Sequence, residues 1–207
     1  MYTPPAFAQD DLATIHGMIR AAGLATLVTM TEDGLIGTPL PLILKEDEGP
    51  FGTLHGHLAR PNPQWKLTPQ ADALVIFPGP DAYVSPSWYA SKAEHGKVVP
   101  TWNYSAVHAY GTPEFFDDPD RLLQVVSTLT DRHEAGRPAP WAVADAPEKY
   151  VQAQLRGIVG LKLEISRLEG KQKFSQNKPE ADRAGVARGL AGEADPAARE
   201  MAGQIPQ

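Results

Sequence analysis

Residues 53–65 read TLHGHLARPNPQW. His55 and His57 lie two apart on an expected strand and so share one face. Arg60 follows at the strand end, then Asn62, Gln64 and Trp65. A strand that delivers His, Arg, amides and Trp to one place suits a planar anion. Arginine presents a planar fork to an oxyanion, and backbone donors at the start of a short helix complete such a cradle. The same residues also fit an ordinary polar surface turn. As a metal pair the histidines are weak, because no third ligand is indicated.

Two further stretches concentrate polar and aromatic side chains. Residues 83–110, YVSPSWYASKAEHGKVVPTWNYSAVHAY, hold Trp88, Trp102, four tyrosines, His95, His108, Lys92 and Lys97. Aromatics with a polar handle suit a flat ring ligand or a subunit interface, or a loop packed on the body with its lysines solvated. Residues 169–177, EGKQKFSQN, alternate Lys171 and Lys173 on a strand end and add Ser175 and Gln176. This reads as a cationic strand end that approaches a phosphate, or as a solvated edge strand guarded by lysine. Asn177 is expected to cap the next helix.

The elements that must position these groups are readable from pattern. Leu12, Ile15, Met18 and Ile19 have helical spacing, capped by Asp10 or Asp11 and ended by Gly23. A strand is expected over 24–31, a hairpin turn at Glu32-Asp33-Gly34, and a return strand over 35–44. Pro39 and Pro41 place that return strand at an edge or a bulge. Strands are expected over 51–58 and 73–77, the latter ended by Pro78-Gly79-Pro80 with the sheet resuming over 82–84, and a short helix over 62–67. Residues 85–100 read as a long loop or lid. Residues 101–110 return to strand composition. Helices over 119–130 and 148–155 and a strand over 158–168 follow. Many short antiparallel-looking strands with a few helices make a mostly β, α+β fold, and a small barrel protects its edges. One domain is expected over 1–176. A polar, Ala-rich helical tail over 177–207 has too little apolar surface to fold alone and must dock on the body or on a second subunit, or stay mobile.

The chain has 207 residues, 20 prolines, 18 glycines, no cysteine and a net charge of −6. It excludes a disulfide scaffold and Cys-ligated zinc or iron–sulfur sites. The acidic balance disfavours broad binding to nucleic acid. Residues 162–188 carry seven basic side chains among four acidic ones and form the only basic region, better read as a solvated helix face. No apolar run is long enough to cross a membrane, and the start does not resemble a signal peptide, so a cytoplasmic location is expected. Rossmann, P-loop and G-x-S-x-G patterns are absent. His133-Glu134 begins a zincin motif, but Arg137 occupies the place of the second histidine.

Several ordered blocks together resemble the PaiB family. They are MYTPPAF at 1–7, GHLARPNPQW at 56–65, ALVIFPGPDAYVSPSWY at 73–89, KVVPTWNYSAVHAYG at 97–111, LTDRHE at 129–134 and KQKFSQNKPEADRAGV at 171–186. The resemblance spans almost the whole chain, with Gln172 departing from the pattern. It implies an FMN-binding split β-barrel with peripheral helices, a homodimer with flavin at the subunit interface, and a negative transcriptional regulator.

Carried onto this sequence, the resemblance places the flavin phosphate near His57, Leu58, Ala59, Arg60, Asn62, Gln64 and Trp65, with Arg60 as its ligand. The strand through Leu40 and Leu42 would lie along the ring. Trp88, Lys92, Thr101 and Trp102 would come from the same or the partner subunit. The Arg-rich strand and Ser-Arg-Lys turn of the pyridoxamine phosphate oxidases are not matched. No helix-turn-helix is visible, so promoter DNA is only weakly indicated as a partner. Two alternatives stand beside the regulator. One is a flavin-dependent oxidoreductase with Trp88 and Tyr89 over the ring and His108 as proton donor. The other is a haem protein using His55, His57 or His108.

Overall fold

Short alternating stretches separated by turn residues produce an antiparallel α+β fold, described for residues 1–67 and 69–206 in a computed structural model. The order is β1 (Ala8–Gln9), α1 (Leu12–Ala21), β2 (Ala25–Thr31), β3 (Gly34–Leu40), β4 (Ile43–Lys45), β5 (Thr53–Ala59), β6 (Ala73–Val84), α2 (Ser91–His95), β7 (Thr101–Gly111), β8 (Pro113–Phe116), α3 (Pro119–Glu134), α4 (Glu148–Leu155), β9 (Ile158–Glu164), β10 (Arg167–Lys173), α5 (Glu180–Ala191) and α6 (Pro196–Ala202). The chain divides into two compact units. A terminal unit comprises Met1–Met18, Pro78–Val107 and Glu169–Gln207; a central unit comprises Ile19–Phe77 and His108–Leu168.

In the central unit Gly34 turns the hairpin at φ 105°. Strands β2 and β3 then pair from Thr31↔Gly34 to Ala25↔Leu40. The return strand expected over 35–44 is in fact two strands. β3 is the outer neighbour of β2, whereas β4 pairs with β5 in the order β4-β5-β9-β8. Pro41 has no N–H to give a ladder, so pairing stops there. Gly56 makes room for the crossing segment: a Cβ on it would stand 2.5 Å from Leu42 Cδ2 and 3.0 Å from the Pro41 carbonyl oxygen. Arg132 Nη1 donates to the Leu42 carbonyl at 3.1 Å, satisfying a group the ladders leave over. Helix α3 starts at Asp118, whose side chain accepts from Arg121 N, and buries Leu122, Val125 and Leu129. Val125 and Leu129 pack with Ile43.

In the terminal unit the strand order is β1-β10-β7-β6. The sequence placed the end of a strand at Pro78-Gly79-Pro80, yet β6 continues through them to Val84. Gly79 allows this, since a Cβ there would fall 1.9 Å from Ser105 Oγ. Residues 85–100 are more ordered than the expected lid. A 3-10 turn over Pro86–Trp88, with Ser85 as its cap, leads into α2, and Tyr89 is only 3% exposed.

The tail packs in this same unit. Val186, Leu190, Ala198, Met201 and Ile205 join Ala82, Val84, Tyr89 and Phe174 in one apolar cluster. Two glycines one helical turn apart on α5 receive Trp88. A Cβ on Gly185 would lie 1.9 Å from the Trp88 carbonyl oxygen, and one on Gly189 would lie 2.2 Å from Trp88 Cδ2. Among the described residues no helix is long and apolar enough to cross a membrane.

Candidate functional site

The turn after β5 lies in the central unit, and its donors are occupied by the protein itself. His55 and His57 do share a face of β5, each half-buried. His55 Nε2 contacts Glu48 Oε2 at 2.7 Å. His57 Nδ1 is buried without a hydrogen-bond partner, and burial lowers the pKa of its imidazole. It lines an apolar cavity of about 250 Å³ with Val126, Trp141, Tyr150, Val151 and Ile158. Leu58 is in the core and Ala59 is exposed.

Arg60 donates from Nε to the Arg156 carbonyl at 2.7 Å and from Nη2 to the Ile158 carbonyl at 3.0 Å. Its Nη1 lies 3.7 Å from Asp117 Oδ2. The Trp65 indole N–H donates to the Arg60 carbonyl at 2.9 Å. Asn62 caps the 3-10 turn Pro63–Lys66 by accepting from Gln64 N, and its Nδ2 donates to Thr38 Oγ1 at 2.9 Å. Gln64 is wholly buried: its Oε1 accepts from Thr38 Oγ1 at 2.6 Å, and its Nε2 reaches Thr29 Oγ1 at 3.0 Å and the Ile36 carbonyl at 3.2 Å. Together Asn62 and Gln64 pin the β2–β3 hairpin. Leu40 and Leu42 are buried in the core.

The remaining expected residues lie in the terminal unit. Trp88 is half-buried against α5. Lys92 Nζ is exposed and reaches Ser87 Oγ at 3.3 Å. Trp102 is 53% exposed and meets Tyr83 edge to face, with ring centroids 6.0 Å apart. Thr101 alone of these four lines a cavity of about 170 Å³, with Tyr89, Asn103, Lys173, Ser175 and Lys178 among its other walls.

That cavity is built by the end of β10 and the turn after it. The strand is not a solvated edge, as the alternating lysines suggested, because β10 lies between β1 and β7. Lys171 is 6% exposed and donates to the Tyr2 carbonyl at 3.1 Å and to Tyr104 Oη at 2.5 Å. Lys173 Nζ donates to Thr101 Oγ1 at 2.6 Å and to the Trp102 carbonyl. Burial, then the charges of Lys171 and Lys178, lower the Lys173 pKa. Ser175 holds φ 64°, a left-handed backbone uncommon for a residue with a side chain, and its Oγ pairs with Asn103 Nδ2 at 3.0 Å. The turn closes as Lys178 N donates to the Ser175 carbonyl at 2.9 Å.

Asn177 does not cap α5: the N-cap position is Pro179, without a side-chain bond, and Asn177 lines the cavity instead. Asp182, in the first turn of α5, accepts from Ser91 N at 2.9 Å and Ser91 Oγ at 2.8 Å. Burial alone would raise its pKa; those bonds and Lys178 outweigh burial and hold it low. The signal for this site was present in the sequence as the run Lys173 to Lys178. It was obscured because strand position, not composition, decides whether a lysine is solvated. Among the described residues no group of three or more His, Asp or Glu side chains could hold a metal ion.

Short antiparallel strands with helices against them make an antiparallel α+β fold that solved flavin-binding proteins share. The fold matches that of the FAD and heme binding protein of Mycobacterium smegmatis at TM-score 0.58 and 18% identity, covering 80% of this chain and 73% of that one. It matches the flavocytochrome Anf3 of Azotobacter vinelandii at TM-score 0.58 and 17% identity, covering 80% and 68%. Residues 1–167 match the family described as "Putative FMN-binding domain". Over 204 residues the sequence is 35% identical to Protease synthase and sporulation protein PAI 2 of Bacillus subtilis strain 168, spanning 98% of this chain and 95% of that protein. The chain belongs to this PaiB-type FMN-binding family, and membership assigns it a flavin cofactor.

Proposed function

We propose that the protein is an FMN-binding, PaiB-type negative regulator of transcription that acts in the cytoplasm as a homodimer on promoter DNA. The observation that carries this reading is the 35% identity to PAI 2 across nearly the whole length of both chains. The donor chemistry of the terminal unit fits the cofactor. Thr101, Lys173 and Lys178 offer a hydroxyl and two ammonium groups to an anionic end, while the Arg60 fork is already held by backbone carbonyls. When bound, FMN supplies a ring that accepts and returns electrons. The protein's own part is to hold that ring and to let its state bias a surface that meets a partner.

The exposed Tyr83–Trp102 pair supports a second copy as that neighbour, since exposed aromatics are enriched at interfaces. The absorbance spectrum of freshly purified protein, taken before and after adding FMN, tests the cofactor. Sedimentation of the wild type and Trp102→Ala tests the dimer, which the substitution should weaken. Salt-sensitive retention of a promoter fragment supports the regulator. Bleaching of bound FMN by a nicotinamide, without any retention of DNA, would replace it with an oxidoreductase.

A further inference from the structure

The cavity at the end of β10 brings two lysines, Lys173 and Lys178, into one wall, with Asp182 as the acidic group beside Lys178. Lys178 Nζ makes no hydrogen bond within the described chain and stands 5.0 Å from the centroid of the Tyr89 ring. Its acidic neighbour Asp182 is held by Ser91 through both carboxylate oxygens. Lys173 sits in the same wall, and the two ammonium groups repel. A second observation points the same way. Tyr89 is 3% exposed, lines the cavity, and its hydroxyl has no partner. An orphaned buried hydroxyl is destabilising unless something completes it. Burial, then the Asp182 charge, raises the Tyr89 pKa, so the phenol stays protonated and able to donate.

Size narrows the occupant. At about 170 Å³ the cavity is smaller than the roughly 300 Å³ at which pockets for whole ligands begin. It therefore takes a group, not an entire three-ring cofactor. Two ammonium groups with hydroxyl donors suit a compact dianion better than a single carboxylate. The strained backbone of Ser175 belongs to the turn that brings Lys178 back to this wall. The wall residues from 173 to 178 lie beyond the span 1–167 that the family match covers.

We propose that the cavity lined by Tyr89, Thr101, Lys173, Ser175 and Lys178 binds a phosphate monoester dianion. The flavin reading above bears only on which molecule carries that phosphate. FMN is one source, and a separate phosphorylated ligand or free phosphate is the other.

The test uses the full chain with inorganic phosphate, FMN and riboflavin, each titrated by calorimetry, in the wild type, Lys178→Met and Lys178→Arg. Melting curves confirm that the variants fold, which is expected because Lys178 Nζ holds no internal hydrogen bond. Phosphate should bind the wild type, weaken about tenfold or more in Lys178→Met, and recover in part in Lys178→Arg. Phosphate that competes with FMN, together with FMN binding more tightly than riboflavin, assigns the site to the cofactor. Phosphate that binds without displacing FMN assigns it to a second ligand. If phosphate binds and FMN does not, the site stands and the flavin reading falls. The proposal is overturned if phosphate does not bind and FMN and riboflavin bind equally, or if Lys178→Met, still folded, binds phosphate and FMN as the wild type does.

Discussion

The ring of Trp88 lies against Gly189: a Cβ at that glycine would stand 2.2 Å from Cδ2, 2.5 Å from Cε2 and 2.5 Å from Cγ. One turn earlier, Gly185 admits the Trp88 carbonyl in the same way. The tail is thus keyed to the body by two missing side chains. Gly189→Ala should destabilise by about 1–3 kcal/mol through overpacking. Gly185→Ala should cost more, because backbone cannot swing aside as a ring can. Urea unfolding measures the loss, and limited proteolysis should show earlier cleavage within 177–207. Unchanged unfolding midpoints for both variants would contradict this packing.

Gln64 separates a structural role from a ligand-binding one. Gln64→Ala leaves Thr38, Thr29 and the Ile36 carbonyl without their buried partner. A stability loss of about 2–3 kcal/mol is expected from orphaning such groups. FMN affinity per folded molecule should not change. A variant of normal stability with weakened FMN affinity would return Gln64 to the flavin site.

Anion binding should weaken as pH rises. A bound anion favours the protonated form of Lys173, whose pKa burial and the Lys171 and Lys178 charges hold below that of an ordinary lysine. Binding is therefore strongest below that lowered pKa and declines through it, before a solvated lysine would titrate. Tyr89, raised by burial and by Asp182, remains protonated across the same range. Without anion the sign reverses. Between the lowered folded pKa and the unfolded one, the folded chain binds fewer protons, so stability rises with pH. Phosphate titrations over alkaline pH, in the wild type and Lys173→Gln, measure this; the variant should lose the early part of the decline.

The Asp182–Ser91 contact predicts the opposite limb. The Asp182 pKa is held low, so its contribution is complete above the unfolded carboxyl pKa and is lost as pH falls through the folded value. Ser91→Ala removes one of the two bonds, at 2.8 Å, and should cost about 1–2 kcal/mol near neutrality. The deficit should shrink in acid. Urea midpoints compared between neutral and acidic pH would show it.

Local chemistry was readable where local chemistry decides. Asp11 caps α1 through Thr14 N at 2.8 Å, and Gly34 makes the hairpin turn. Proline is a weaker breaker than its missing N–H suggests: Pro78 and Pro80 stay within β6, while Pro41 falls where one ladder ends and the chain enters another. The donors at 60–65 were recognised as a cluster, but a sequence does not say whether amides and a guanidinium face a guest or their own backbone. The lysine site required knowing that β10 has a neighbour on each side, and that order is set by pairings across more than a hundred residues, such as Ala8↔Lys171.

The passage from β3 to β4 has a consequence for how this chain tolerates change in length. Only Pro41 and Leu42 separate Leu40, paired with Ala25, from Ile43, paired with His55. Any residue gained or lost there must slip one pairing or the other, and a one-step slip turns every side chain of that strand to its opposite face. This two-residue bridge behaves as a fixed ruler, and homologous chains should keep its span even where they keep none of its letters.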